Sequence, residues 1–237
     1  MVKFWVAFAL IVAAVGALSS IEAFAWINPF RLNLSSASFG GERGSGNTKS
    51  EVRKVGAFSK IHAQGAGTLE VDVKPGNAGG SLEVSADDNL LGVFATEVVD
   101  GVLEVNQTAN VSPRSRLAIR LAVPSLEAVH LEGANTLNLT IDSGGPLEVH
   151  LEGAGRAHLS GKVGAFSVHS EGAGSVDASE LVSPKVDVTI EGAGRARVNA
   201  TESLKGRIAG AGTITYLGDP KTVEREIEGI GRIARAR

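Results

Sequence analysis

The chain contains no cysteine, and only one Met and one Tyr, among its 237 residues. Without cysteine there are no disulfides, thiolate zinc sites, iron–sulfur clusters, cysteine nucleophiles or lipid anchors on an N-terminal cysteine. Aromatic residues make up only 5% of the sequence, whereas glycines number 30. That balance points away from helical bundles and towards turn-rich β structure. Basic residues are not in excess: Lys and Arg total 23 against 26 Asp and Glu, a net charge of −3. Nucleic acid is therefore not expected as a partner. With 43% hydrophobic and 21% charged residues, the composition is that of a globular chain able to bury a full core.

Motifs that carry known chemistry are also missing. The Gly41 to Asn47 stretch has Asn47 where a phosphate loop requires lysine. No Gly-x-Gly pair continues to a third glycine at the head of a helix, as a dinucleotide fingerprint would. There is no Gly-x-Ser-x-Gly elbow and no His-Glu-x-x-His zinc motif. Asp87-Asp88-Asn89 is a compact acidic cluster, but it lacks the glycine and distal glutamate of a calcium loop and reads as a solvated turn. No catalytic residue and no cofactor is assigned.

Residues 1–25 read as an address. Lys3 precedes an apolar run from Phe4 to Leu18, followed by Ala23-Phe24-Ala25, the three parts of a cleavable secretory signal. The run is short for a membrane span, which needs about 20 apolar residues. An uncleaved anchor continuing through Trp26, Ile27 and Phe30 is the competing reading, and Glu22 and Pro29 interrupt it. Cleavage after Ala25 would leave a mature chain with no integral membrane span. Residues 26–51, rich in Ser and Gly from Ser35 onwards, read as a flexible N-terminal arm or linker.

The rest is organised by a repeat. Gly-Ala-Gly or a variant begins at Gly65, Gly133, Gly153, Gly172, Gly192, Gly210 and Gly229, with spacings of 18–20 residues from Gly133 onwards. Apolar residues alternate with polar ones on both sides of each triplet, as in Leu147, Val149 and Leu151 before Gly153 and Ala157 and Leu159 after it. Period two on both flanks of a glycine means two short strands per repeat meeting at a corner. Equivalent strands of successive repeats run in the same direction, so they stack as parallel ladders around an apolar core. The expected fold is all-β: a right-handed parallel β-helix-like solenoid with coils of about 18–20 residues and Gly-Ala-Gly corners. The glycine-poor stretch from Val71 to Pro124 also alternates and reads as further coils, with wider turns at Pro75-Gly76, Asp100-Gly101 and Pro113.

The stretches VGAFSKIHAQGAGTLEV and ADDNLLGVFATEVVDGVLEV, the LEGAG repeats, and YLGDPK followed by GIG resemble the auto-transporter adhesin head GIN domain, a domain of unknown function. The resemblance covers about Val55 to Ile233. It implies a β-helix-like fold in exported proteins of Gram-negative bacteria, and it transfers no catalytic residue. The chain thus divides into a signal peptide at 1–25, an arm at 26–51, a single GIN-type domain at 52–234 and a basic tail at 235–237.

One polar constellation stands out. His62, His130, His150 and His169, four of the five histidines, lie three residues before the first glycine of their triplets. Glu132, Glu152, Glu171, Glu191 and Glu228 lie one residue before it, with Gln64 in the first copy. Their parity is opposite to that of the apolar columns, so they face solvent. The plain reading is a polar face copied by duplication. The chemical reading is a stripe that responds to pH or binds a divalent metal, with His130, His150, His169, Glu132, Glu152 and Glu171 as the candidate ligands. His62, separated by the irregular coils, is not expected to stack with the others.

The function expected from export, an elongated repeat and the lack of catalytic groups is a non-enzymatic, adhesin-like module of the periplasm, outer membrane or cell surface. Its partner would be an envelope or extracellular glycan or a protein surface. The alternative is a periplasmic polysaccharide-active enzyme on the same scaffold.

Overall fold

The computed structural model describes residues 41–236. The signal segment, its cleavage point and residues 26–40 of the expected arm lie outside the described residues. The protein is all-β, with 69% of it in strands and a solenoid of about five turns. Among the described residues the one helical element is a short 3-10 turn at Leu91–Val93, and no helix is long and apolar enough to cross a membrane.

Each regular turn is a strand, a glycine corner and a second strand. Ala128–Gly133 and Thr136–Asp142 form one rung, and Pro146–Gly153 with Arg156–Lys162 forms the next. The pairing is parallel and in register: Val129 opposes Val149, Leu131 opposes Leu151 and Gly133 opposes Gly153. The ladder continues through Ala165–Gly172. Ser175–Gly192 and Arg195–Gly210 are long strands that each serve two successive rungs. Thr222–Gly229 and Arg232–Arg235 form the last rung.

In-register stacking turns the period-two pattern into columns. Leu103, Ile61, Val129, Val149, Val168 and Val188 lie one above another, all at least 98% buried. Each such side chain contributes about 1.5–3 kcal/mol of hydrophobic stabilisation. The corners repeat as strictly. The N–H groups of Ala134, Ala154, Ala173, Ala193 and Ala211 each donate to the carbonyl of the corner glycine on the preceding rung. Those glycines have positive φ, and from Gly133 onwards backbone of the neighbouring rung lies against the position of a Cβ, which is why the sequence keeps glycine there.

The stretch from Val71 to Pro124 departs from the expected run of coils. Val102–Gln107 and Ala118–Val123 do form a parallel rung, but it stacks on the far side of Lys60–Gly65 and Thr68–Val73. The other face of that earlier rung pairs with Ala128–Gly133 and Thr136–Asp142, so the stacking order is not the chain order. The remaining strands are antiparallel. Phe94–Val99 forms a hairpin with Val102–Gln107, turning at Asp100-Gly101 as the sequence suggests. Ser81–Asp87 pairs antiparallel with both Ala118–Val123 and Thr48–Lys54. Such a cap breaks the regular parallel register at this end of the stack, where an exposed edge would invite pairing with another chain. At the opposite end, Thr222–Gly229 carries Glu224, Arg225, Glu226 and Glu228, charges of the kind that guard an open edge.

The expected arm also differs from Glu42 onwards. Glu42–Arg43 pairs with Val111–Ser112, and Thr48–Lys54 is a full strand of the cap. Backbone pairing does not require apolar side chains, so the Ser/Gly-rich composition concealed it. The anchor is the cluster read as a solvated turn. Asp87 is fully buried and accepts N–H bonds from Gly46, Arg114 and Ser115. Asp88 accepts from the Ser45 hydroxyl, and the Asn89 side chain accepts from the Ser45 N–H and donates to the Arg43 carbonyl. Burial works to raise the Asp87 pKa, but the backbone donors outweigh it and bring it down to about 2. At the C-terminus, Arg235 closes the last strand and does not begin a tail.

Candidate functional site

The polar columns occupy the outer face of the sheet formed by the first strand of each rung. His62, His130, His150 and His169 are register partners in unbroken sequence, with ring centroids 4.9, 5.7 and 5.6 Å apart. The expectation that His62 stands apart is therefore overturned. The chain between Val73 and Ala128 builds the cap and returns, so residues far apart in sequence sit on adjacent rungs. Beside the histidines run Gln64, Glu132, Glu152, Glu171 and Glu191, also in register.

Every histidine of the column is paired with a carboxylate, but not by one rule. His62 bridges two, with Nδ1 at 2.9 Å from Glu104 and Nε2 at 2.8 Å from Glu132. His130 Nε2 reaches Glu152 on the next rung at 2.9 Å and lies 4.0 Å from Glu132. His150 turns instead to Glu148 on its own strand at 2.8 Å, and His169 to Glu171 at 3.0 Å. Partial burial of His62 works to lower its pKa, yet the hydrogen bonds and charges of Glu132 and Glu104 raise it above its ordinary value. Glu132 is lowered in turn, first by its hydrogen bond to His62, against burial.

The structure thus brings together all six candidate ligands on one face and adds His62 and Glu104 to them. The offset of His62 from Gly65, identical to that of the other three histidines, is the sequence signal for its place in the stack. Glu104 opposes His62 in register, and nothing in its local sequence sets it apart. Next to the ladder, on the same sheet, an open groove of about 510 Å³ crosses successive rungs past Glu148, Ser167, Asp187, Lys205 and Glu224.

Stacked parallel rungs, glycine corners and an outward polar ladder define a parallel β-solenoid. The sequence model of one family, described as "Putative auto-transporter adhesin, head GIN domain", matches residues 57–220. The chain belongs to that family. Among solved structures it is similar to a putative adhesin from Bacteroides fragilis at 21% identity and a TM-score of 0.67, covering 83% of this chain and 100% of that one. It is also similar to a "putative lipid binding protein" from Parabacteroides distasonis at 21% identity and a TM-score of 0.50, covering 82% of this chain and 99% of that one. These likenesses establish the fold. Among curated proteins, none matches the sequence.

Proposed function

We propose that the protein is an exported module of the cell envelope or cell surface that binds a glycan or protein surface without chemical turnover. One observation carries this reading: two in-register polar columns and an open groove share a single outer sheet face. Such a face offers hydrogen-bond donors, acceptors and charges at a regular rung spacing of about 4.8 Å. A long, repetitive ligand can match that spacing many times over, and many weak contacts then sum to useful retention. Glu132, Glu152 and Glu171 are each engaged with a histidine of the same ladder, which favours a binding face over a pair of free carboxylates of the kind glycoside hydrolysis uses. Family membership favours the adhesive role and a surface or extracellular location, and the N-terminal segment favours export with a mature start at Trp26.

The test is incubation of the pure protein with envelope and extracellular glycans, paired with attachment assays on a deletion strain. Retention without new reducing ends or unsaturated products, together with reduced attachment, is the expected result. Turnover of any glycan would replace this reading with a polysaccharide-active enzyme.

A further inference from the structure

Most of the ladder is a row of single histidine–carboxylate hydrogen bonds, but one end of it has the composition of a coordination site. One donor atom from each of His62, His130 and Glu132 lies within 4.8 Å of the others. Around a tetrahedral ion with bonds of about 2.0–2.2 Å, ligand atoms stand about 3.3 Å apart. His62 Nε2 and Glu132 are now at 2.8 Å, and His130 Nε2 and Glu132 at 4.0 Å. Side-chain adjustments of about an ångström, on a fixed sheet, would bring all three to that separation.

Two further features separate this cluster from chance proximity. Glu104 lies 2.9 Å from His62 Nδ1 and accepts its N–H, so that loss of the Nε2 proton, which now points to Glu132 at 2.8 Å, would leave a lone pair directed at the Glu132 and His130 side of the ring. A carboxylate behind a ligating imidazole is the usual outer-shell support of a metal site. In addition, Glu152 lies 2.9 Å from His130 Nε2, within reach as a fourth ligand. A dication that displaces the imidazole protons would face three carboxylates, Glu104, Glu132 and Glu152, whose negative charge it offsets. A second cluster, His169 with Glu171 and Glu191, offers one imidazole and two carboxylates, and His169 donates to Glu171 of its own strand. It lacks a carboxylate behind the ring and is the weaker site.

We propose that His62, His130 and Glu132, with Glu152 completing the set and Glu104 orienting His62, bind a divalent transition metal of the zinc type. Mixed imidazole and carboxylate donors suit zinc, whereas calcium and magnesium prefer oxygen alone. The site joins rungs whose strands are remote in sequence, so the metal would tie the capping end of the solenoid to its regular turns.

Calorimetric titration of the whole protein with Zn²⁺ after chelator treatment tests this, with Co²⁺ absorption as a second readout. The wild type is expected to give saturable binding and the visible bands of a tetrahedral Co²⁺ site. His62→Ala and His130→Ala should each weaken binding by tenfold or more, and Glu104→Gln by about 10- to 100-fold. His169→Ala should leave the affinity within about twofold, since its cluster is separate. The substituted side chains face outward, and circular dichroism confirms folding of each variant. Absence of saturable Zn²⁺ binding in the wild type overturns the proposal, as does a loss on His169→Ala equal to that on His62→Ala.

Discussion

Alanine at a corner glycine tests the stacking energetics directly. Gly172 has φ +97, and a Cβ there would lie 2.7 Å from the carbonyl oxygen of Gly153 on the preceding rung. That oxygen already accepts the N–H of Ala173 at 2.9 Å, so it cannot retreat without weakening a ladder bond. Two costs add. Positive φ with a side chain costs about 1–3 kcal/mol, and weakening the ladder bond at this exposed corner costs about 0.5–1.5 kcal/mol more. The expected loss for Gly172→Ala is therefore about 1.5–4.5 kcal/mol. Two controls separate the terms. Gly76 has φ +99 with nothing within 4 Å of a Cβ, so Gly76→Ala should show only the backbone strain of about 1–3 kcal/mol. Gly144 has neither positive φ nor a neighbour within 4 Å, and Gly144→Ala should be within about 0.5 kcal/mol of wild type. Urea denaturation of the three variants gives the ranking from the shift in midpoint. If Gly172→Ala is no worse than Gly76→Ala, close approach between rungs does not explain the glycine corners.

Asp87→Asn should lower the urea midpoint at neutral pH and speed hydrogen exchange at the amides of Gly46, Arg114 and Ser115, which the carboxylate holds. Because the folded pKa is depressed from 3.8 to about 2, the carboxylate's stabilisation is complete above the unfolded value and is lost as pH falls through about 2. The gap between wild type and variant should therefore narrow in acid, and a gap constant across pH would contradict the role given to Asp87. Ser170, 98% buried between Leu151 and Ile190 in an apolar column, has a hydroxyl with no hydrogen-bond partner among the described residues. Ser170→Ala should stabilise the protein by about 1 kcal/mol in the same denaturation assay, and a destabilised variant would mean that the hydroxyl is satisfied in solution.

The regular solenoid is written locally in the sequence. Alternation around Val149 and Leu151 sets which face is buried, and the spacing from Gly133 to Gly229 sets the length of a turn. Identical turns have nowhere to place their apolar faces except on each other, so the in-register columns of His130, His150 and His169 follow from the period alone. The cap was not legible in this way. Ser81–Asp87 and Phe94–Val99 alternate just as a parallel coil does, and alternation reports burial but not strand direction. What decided their antiparallel pairing was the need to close one end of the stack, a condition set by the whole ladder and by no single segment. The same closure orders Glu42–Arg43 and Thr48–Lys54 against a buried Asp87, although their composition suggested a free arm. It also returns Ala128 to the rung beside Lys60, which places His62 against His130 and Glu104 behind His62. The sequence alone determined the turn, its buried face and the polar stripe; the tertiary structure alone decided which rungs are neighbours, because stacking order depends on where the chain re-enters the ladder and not on the residues of either rung.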